Sequence, residues 1–499
     1  MTPKANGSSW SGFTRAIAAR KTLFIGGLAV LLAIAVFGRS HTIRRALHRL
    51  NLRTYTHYNA MARPQAGEKM LVFAPHPDDE TLGCGGLIQQ AVQAGSSVKV
   101  ILMTNGEYPE IDVVLFEETV RFSKAAFVRL GEMRKEESLR ALSCLGLSPD
   151  DVTFLGYPNF YLSDMWLPAH WQPQNPIRSV RTRSTQSPYP DSMTKNTVYC
   201  GQSALRDVET VLLREKPNAV FTLHPNDVHP DHWPTYALVR YALEELSARG
   251  DTFAKHVRLY TYLIHRDSWP TQRGFRPGSP LEPPFSLTLD GQTDWRELSL
   301  SAEQTTLKHK ATGIYRTQAG TIDPLLRSFA RTNELFGVVP ILTWENGSVV
   351  PSTTVIVDPQ SDLVSSTEYK HGDISHVSLG RNGDRMTVEV ATRGTAAATT
   401  GYHLSIHAGR ADESDRVIAE YDWQGSVASG LVCSDGDLRV ISPAQLSADF
   451  SQSRSTIEAP WPMKDRKQTF FMIRAWTTRG KHVTDQTATA TYRITALRR

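Results

Sequence analysis

One histidine and two adjacent carboxylates crowd into the segment His76-Pro77-Asp78-Asp79, directly after the apolar run Met70 to Phe73. Such a run is typical of a strand buried on both faces, so the polar segment lies at the end of a strand. His76 and Asp79 are three residues apart, as on one face of a starting helical turn, and can converge on one cation. Asp78 then points elsewhere and is available to accept a proton.

A second cluster, His229-Pro230-Asp231-His232, lies roughly 150 residues later, shortly after the apolar run 219–223. The spacing of His229 and His232 allows one to bind a metal while the other stands beside its open face. Two histidines and one carboxylate leave a coordination position for water, as in catalytic zinc sites. Either cluster alone is equally compatible with a satisfied histidine and a helix-capping aspartate. Two such clusters, each after an apolar strand, favour metal chemistry.

The elements around these clusters alternate between buried strands and amphipathic helices from residue 70 to about 265. This alternation predicts an α/β fold with a Rossmann-like, mostly parallel sheet and helices on both faces. Such sheets bind ligands at the carboxyl ends of their strands, where both clusters fall. From about residue 349, short alternating runs separated by turns such as Asn382-Gly383 predict a C-terminal all-β, sandwich-like domain.

Composition places the chain among ordinary globular proteins of two or three domains, with 499 residues, 40% hydrophobic and 21% charged. The net charge of +5 comes largely from basic residues around one apolar segment, so no nucleic-acid partner is expected. The four cysteines form no CxxC pair, which excludes a disulfide-built scaffold and a cysteine-rich zinc site.

The apolar segment 22–38 predicts one N-terminal transmembrane helix, followed at once by Arg39, Arg44 and Arg45. A signal-peptide core is the alternative. We therefore expect a membrane protein with a single-pass anchor. Basic residues on both sides leave undecided on which side of the membrane the catalytic domain lies. The following basic stretch, 39–53, suits either an amphipathic helix on anionic headgroups or a solvated stalk.

The segment Pro75 to Gly86, reading PHPDDETLGCGG, resembles the signature of the zinc-dependent PIG-L/LmbE-like de-N-acetylases, which include N-acetylglucosaminylphosphatidylinositol deacetylase. The resemblance continues in Thr104-Asn105-Gly106-Glu107, in His224 to His232 and in Tyr315-Arg316-Thr317-Gln318, and it covers about residues 69 to 320.

Position by position, the resemblance implies a role for each residue of the two clusters. It implies Zn²⁺, or another divalent metal, bound by His76, Asp79 and His232. It implies Asp78 as the general base, His229 as the group that stabilises the oxyanion and helps protonate the amine, and Asp231 as the residue that orients His229. It also implies that Arg134 contacts substrate, although an ion pair on the helix surface is the alternative.

The sequence departs from the family pattern at two places near the expected mouth of the site. The family often has Tyr-Pro-Asp-Gly where this chain has Tyr157-Pro158-Asn159-Phe160, and the chain carries a long insertion at 163–200. Both differences leave the substrate open. Four aromatic residues of this stretch predict that it is partly ordered: Trp166, Trp171, Tyr189 and Tyr199.

The expected function is metal-dependent hydrolysis of an acetamide on an N-acetylglucosamine-type sugar in a glycolipid or glycoconjugate. The alternatives are a zinc amidase for a non-sugar N-acyl metabolite and a membrane-tethered glycan-binding protein. For glycan binding, Trp423 and Trp461 are candidate stacking residues, with burial in a core as the other interpretation. The oligomeric state stays open. The predicted division of the chain is 1–21 tail, 22–38 anchor, 39–68 basic linker, 69–345 deacetylase domain and 346–499 β-sandwich-like domain.

Overall fold

A computed structural model describes residues 58–108, 123–266, 268–289, 292–359, 372–394, 397–411, 416–434, 436–451, 453–463 and 468–496. The predicted tail, the anchor at 22–38 and the linker up to residue 57 lie outside these ranges, so the anchor stays a prediction. Within the described ranges, none of the helices combines the length and the apolar character needed to cross a bilayer.

The N-terminal half is built on a mixed sheet in which most neighbouring strands are parallel. The order across the sheet is β1-β7-β8-β6-β5-β2-β3-β4. Strand β8 runs antiparallel to both β6 and β7. The strands are β1 (Asn59–Ala60), β2 (Lys69–Ala74), β3 (Ser97–Thr104), β4 (Val152–Tyr157), β5 (Ala219–Leu223), β6 (Arg258–Tyr262), β7 (Asp294–Ser299) and β8 (Asn333–Val338).

Helices cover both faces of this sheet, as the sequence predicted. Alternate residues of β2 enter two different cores: Met70 and Val72 belong to one, Leu71 and Phe73 to the other. A strand buried on both faces has this pattern. The helices are α1 (Asp79–Ala94), α2 (Lys124–Cys144), α3 (Leu162–Trp166), α4 (Gly201–Glu215), α5 (His232–Arg249), α6 (Thr252–His256), α7 (Phe285–Leu289), α8 (Ala302–Thr312) and α9 (Arg316–Leu326).

Helix α1 begins at Asp79, although apolar residues at helical spacing begin only at Leu87 in the sequence. Its first turns contain glycines, which disfavour helix formation and hide the periodicity. Those glycines are required by close packing, because a Cβ at Gly83 would lie 2.1 Å from the Tyr262 ring and one at Gly86 would lie 2.3 Å from Leu300. Tertiary contacts therefore extend the helix back to the metal-binding motif.

The C-terminal region is β-rich and contains two sheets that face each other across one core; their strands are antiparallel except for β9, which runs parallel to β21. One sheet has the order β10-β11-β12-β18-β17, and the other has the order β16-β15-β14-β13-β19-β21-β9 with β20 paired to β19. The strands are β9 (Leu342–Asn346), β10 (Val349–Val357), β11 (Ile374–Asn382), β12 (Arg385–Thr392), β13 (Gly401–Gly409), β14 (Val417–Gln424), β15 (Val427–Ser434), β16 (Asp437–Val440), β17 (Ser447–Ser451), β18 (Arg454–Pro460), β19 (Phe470–Arg479), β20 (His482–Gln486) and β21 (Ala490–Ala496).

Trp423 lies in the core of this β-rich region, where its Nε1–H donates to Ser455 Oγ at 2.8 Å. It is therefore not a surface platform for sugars. Trp461 is half-buried, and the Arg381 guanidinium lies 4.9 Å from its ring centre.

The β-rich region and the α/β region share a hydrophobic core. Ile418 and Met472, on the outer face of one sheet, join the cluster formed by helices α4 and α5. In the insertion at 163–200, Trp166 stacks on His407 of β13, with ring centres 3.9 Å apart and planes inclined by 10°. The four aromatic residues of the insertion, for which the sequence predicted partial order, are buried. The predicted boundary at 345 stays a prediction, but the two regions are not joined by a linker alone.

Candidate metal centre

The two clusters meet at the carboxyl edge of the sheet because β2 and β5 are neighbouring parallel strands. His76 follows β2 directly, and His232 is the first residue of α5, just after β5. Between β2 and α1 the chain turns sharply at Asp78, whose φ of 131° is unusual for a residue with a Cβ. This turn brings Asp79 back towards His76, whose backbone N–H donates to Asp79 Oδ2 at 3.1 Å.

Three potential ligand atoms form a nearly equilateral triangle. His76 Nδ1 lies 3.1 Å from Asp79 Oδ2 and 3.2 Å from His232 Nε2, and the remaining edge, His232 Nε2 to Asp79 Oδ2, is 3.3 Å. Zinc–ligand bonds of about 2.0–2.1 Å at tetrahedral angles place donor atoms about 3.3 Å apart. The triangle therefore has the size of one face of a tetrahedral zinc site.

The outer nitrogen of each histidine contacts a buried carboxylate. His76 Nε2 lies 2.9 Å from Asp231 Oδ2, and His232 Nδ1 lies 3.1 Å from Asp227 Oδ2. These hydrogen bonds assign the protons to the outer nitrogens and turn lone pairs of His76 Nδ1 and His232 Nε2 towards Asp79. Three electron-pair donors then face one another, an arrangement that a bound cation would stabilise. Carboxylate–histidine–metal arrangements of this kind are typical of zinc sites.

Asp227 is a fixed anchor for this part of the site. Its Oδ2 accepts backbone N–H groups of Ile264 and His265 at 3.0 and 2.9 Å, and its Oδ1 accepts that of His229 at 3.0 Å. Burial alone would raise its pKa, but the nearby His232 and the hydrogen bonds lower the pKa overall. The carboxylate stays ionised and holds His232 in one tautomer.

Asp78 is the carboxylate of the site without a hydrogen-bonding partner in the described part of the chain, although its backbone N–H donates to Glu80 Oε2 at 2.9 Å. Its side chain is buried, and burial together with the charges of Asp79 and Glu80 raises its pKa well above the ordinary value. A carboxylate with free lone pairs and a raised pKa is suited to accept a proton near neutral pH.

Glu80 holds the turn that carries Asp78. Besides the bond to the Asp78 backbone, its Oε1 accepts the hydroxyls of Ser138 at 2.7 Å and Tyr315 at 2.6 Å. Gln318 also donates to the carbonyl of Pro77. Helices α2 and α9 therefore fix the first cluster from behind.

His229 lies beside the triangle, with its ring centre 4.7 Å from that of His76 and 4.6 Å from that of His232. Its Nδ1 accepts the backbone N–H of Asp231 at 3.1 Å, so Nε2 carries the proton and is the available donor. Burial and the neighbouring histidines lower the pKa of His229 well below the ordinary value. A neutral imidazole N–H is therefore available to a developing negative charge.

Two sequence predictions change in detail. Asp231 contacts His229 through its backbone N–H, whereas its carboxylate binds His76, Phe160 N–H at 2.6 Å and Leu162 N–H at 3.0 Å. It therefore orients His76 directly, because its side chain points away from His229. Arg134 is buried rather than on a helix surface, and its Nη1–H donates to the carbonyl of Gly106 at 2.5 Å. Its charge acts on Asp78, and contact with substrate stays a prediction.

Sequence reasoning missed His265 and Phe160. His265 follows β6, and its ring centre lies 4.9 Å from that of His232. Potential ligand atoms also come within 4.8 Å of one another in the sets His76/His229/His232 and Asp79/His232/His265, but the triangle described above is tighter. A histidine at the end of a strand next to β5 was the available signal for His265. Phe160 was noted only as part of the departure from the family pattern after β4, without a role of its own.

The PIG-L family model, described as GlcNAc-PI de-N-acetylase, matches residues 71–243. These residues form a PIG-L family domain. The match confirms the family resemblance of the motifs. It includes both clusters of the candidate metal centre and ends within α5.

Several curated relatives are named 1D-myo-inositol 2-acetamido-2-deoxy-alpha-D-glucopyranoside deacetylase. The one from Rhodococcus jostii is 30% identical over 179 residues, which are 35% of this chain and 53% of the relative. The one from Nocardia farcinica is 28% identical over 298 residues, 56% of this chain and 89% of the relative. The chain thus spans about half the length of the first of these relatives.

Among solved structures, the N,N'-diacetylchitobiose deacetylase of Pyrococcus horikoshii is 19% identical to this chain. The alignment covers 54% of this chain and 82% of that one, with a TM-score of 0.33. A likeness this slight does not bear on the site.

Proposed function

We propose that the protein is a metal-dependent hydrolase that removes an acetyl group from the nitrogen of an N-acetylglucosamine-type sugar, in a glycolipid or another glycoconjugate. The observation that carries this proposal is the triangle of His76 Nδ1, Asp79 Oδ2 and His232 Nε2. Beside it lies the carboxylate of Asp78, which has no hydrogen-bonding partner among the described residues. A divalent cation on three protein ligands and a nearby base are the two requirements of metal-assisted amide hydrolysis.

The residues that would hold the metal are those of the triangle, and Zn²⁺ is the divalent ion that this nitrogen and carboxylate donor set favours. When bound, it polarises the amide carbonyl and lowers the pKa of its water towards about 7. Asp78 accepts the proton of the attacking water. His229 donates its Nε2–H to the carbonyl oxygen as negative charge develops there.

The protons and bonds balance without a further reactant. The water oxygen forms the new bond to the acetyl carbon, and the carbon–nitrogen bond breaks. One proton of the water passes through Asp78 to the departing amine, and the other stays on the acetyl product, which leaves as acetic acid and ionises to acetate in solution. His229 stabilises the oxyanion throughout and stays neutral.

The proposed substrate class follows the PIG-L match and the names of the curated relatives, which act on an N-acetylglucosamine joined to inositol. The residues after β4 differ from the common family pattern, so we expect the group attached to the sugar to differ from that of the relatives.

The test uses the purified full-length protein in detergent with a panel of acetylated compounds. The panel contains N-acetylglucosamine, its inositol glycoside, N,N'-diacetylchitobiose, an N-acetylglucosaminyl phospholipid and an N-acetylated amino acid, and released acetate is measured. We expect acetate from at least one of the sugars, loss of activity with a chelator, and recovery with Zn²⁺.

The Asp79→Asn variant, which removes one proposed ligand, is the matched control for residual activity of contaminants. Acetate release that stays at the wild-type level in the presence of the chelator and in this variant would contradict metal-dependent hydrolysis. Release of acetate from the N-acetylated amino acid alone would support a metal-dependent hydrolase but contradict a sugar substrate.

A further inference from the structure

Phe160 has a backbone conformation that a bulky residue rarely adopts. Its φ is 72°, in the left-handed region that favours glycine. For a residue with a Cβ, this conformation is strained, and such strain is often found at functional sites.

The backbone of this turn has a clear reason for its shape. The N–H groups of Phe160 and Leu162 donate to the two oxygens of Asp231, at 2.6 and 3.0 Å. Asp231 in turn holds His76 Nε2 at 2.9 Å. Glycine at position 160 would make the same bonds with less strain. The hydrogen bonds therefore explain the turn but not the presence of a phenyl ring.

The phenyl ring packs against the histidine that the mechanism needs. Its centre lies 4.6 Å from that of His229, with the rings inclined by 64°. On its other side it contacts Tyr108, at 4.5 Å and 61°. Tyr108 is itself covered by the guanidinium of Arg181, 4.0 Å from its ring centre, and Arg181 belongs to the insertion at 163–200. Ring contacts of Tyr108 and Phe160 thus connect Arg181 of the insertion to His229.

Among the ring contacts of His229 in the described residues, the contact with Phe160 is the one that does not involve another histidine. The other ring contacts of His229 are with His76, His232 and His265, at 4.7, 4.6 and 5.4 Å. Its imidazole makes one hydrogen bond in the described part of the chain, accepted by Nδ1 from the Asp231 backbone N–H. A single bond leaves the ring free to tilt about it. Edge-to-face packing by an aromatic ring restricts that tilt.

We propose that Phe160 is a positioning residue for His229: its ring, supported by Tyr108 and Arg181, keeps the His229 Nε2–H directed at the reacting carbonyl. This inference rests on the proposed function, in which His229 stabilises the oxyanion. It assigns a function to the sequence departure after β4 and gives the insertion at 163–200 a direct connection to the catalytic site.

The kinetic test compares Phe160→Gly with Phe160→Tyr. Phe160→Gly removes the ring and relieves the backbone, and we expect kcat to fall about 10-fold or more with KM changed less than about 3-fold. Phe160→Tyr keeps the ring, and we expect kcat within about 2-fold of wild type. Lys216→Gly is the matched control, since Lys216 also has a positive φ, 45°, but lies at the opposite edge of the sheet.

All three variants should keep their metal, and their Tm values should differ from wild type by no more than about 3 °C. A Phe160→Gly variant with wild-type kcat would overturn the inference. A loss that Phe160→Tyr does not restore would overturn it as well, because the ring would then not be the group that matters.

A second readout needs no turnover. Histidine-selective ¹⁵N NMR of the zinc-loaded protein should show His229 as a single neutral tautomer with the proton on Nε2. In Phe160→Gly we expect its two nitrogen signals to broaden or move towards each other, with Phe160→Tyr and Lys216→Gly unchanged. Identical His229 signals in wild type and Phe160→Gly would overturn the inference, even if none of the sugars is a substrate and the proposed function fails.

Discussion

Helix α5 carries buried titratable side chains at both ends, and the two ends differ in how the charge of these side chains is compensated. At its start, His232 faces His76 and Asp79 with electron pairs directed at one another. Near its end, the carboxylate of Glu245 receives two bonds from Arg416 of the β-rich region, at 2.8 and 2.6 Å. Arg249 adds a third bond to Glu245 at 3.2 Å.

The difference between the two ends distinguishes a structural cluster of charged residues from a functional one. At the second end, Glu245 binds two arginines, so its charge is compensated within the protein. At the first end, the carboxylate of the nearby Asp78 has no hydrogen-bonding partner in the described part of the chain, and the donor triangle is one that a bound cation would stabilise. The side chains are buried to a similar extent at both ends. A buried carboxylate without a compensating partner, rather than burial itself, therefore indicates a functional site.

The largest expected effect is on catalysis by Asp78→Asn. The amide has nearly the same shape but cannot accept the proton, so we expect acetate release to fall by about 10²–10⁴-fold. Bound zinc should stay at the wild-type level, because Asp78 is not part of the triangle. The stability should not decrease, because a buried unpaired carboxylate is removed. Acetate release and metal content are measured on the same sample, and an active, zinc-loaded variant would exclude Asp78 as the base.

The next effect is on folding, at the other end of α5. Arg416→Ala leaves Glu245 buried without its bidentate partner, so we expect the free energy of unfolding to fall by about 3–5 kcal/mol. Urea unfolding followed by fluorescence measures it. Any folded fraction should keep normal zinc binding, because the pair lies at the far end of the helix from His232. A loss below about 1 kcal/mol would show that this cluster is not a closed structural unit.

Asp227→Asn should have a smaller effect, on metal affinity. The amide keeps an acceptor for the backbone N–H groups but loses the negative charge that orients His232, so zinc affinity should fall about 10–100-fold. Competition with a chromophoric chelator measures the affinity. Asp207→Asn is the matched control, since Asp207 is also buried and binds Tyr157 and Thr194 at 2.7 and 2.6 Å. Equal affinities in both variants would remove Asp227 from the metal site.

The smallest effect is expected for Arg493→Ala. Arg493 also joins the β-rich region to α5, through Glu244 at 2.8 and 3.2 Å, but its side chain is 54% exposed, whereas that of Arg416 is 4% exposed. Solvent screens exposed pairs, so urea unfolding should show a loss of less than about 1 kcal/mol. A loss as large as that of Arg416→Ala would mean that exposure does not separate the two interface pairs.

The sequence determined the α/β fold, the β-rich C-terminal region and the segments that carry the candidate metal centre. Strand periodicity is local, and parallel strands necessarily bring their carboxyl ends to one edge, so two histidine–aspartate clusters after apolar runs were enough to predict their meeting. The spacing of three residues in His76–Asp79 and His229–His232 was informative because residues three apart lie on one face of a helical turn. The antiparallel strands β7 and β8 were not predicted, because short strands with polar residues have a weak local signal.

Only the tertiary structure decided which atoms face one another. Spacing cannot tell whether Asp231 turns its carboxylate to His229 or to His76, because that depends on side-chain torsions set by the N–H groups of Phe160 and Leu162, about 70 residues away in sequence. It cannot place His265 beside His232 or the phenyl ring of Phe160 against His229. The packing of the β-rich region on α5 likewise depends on long-range contacts. Local patterns determine which elements form; the contacts between distant elements determine what each polar atom does.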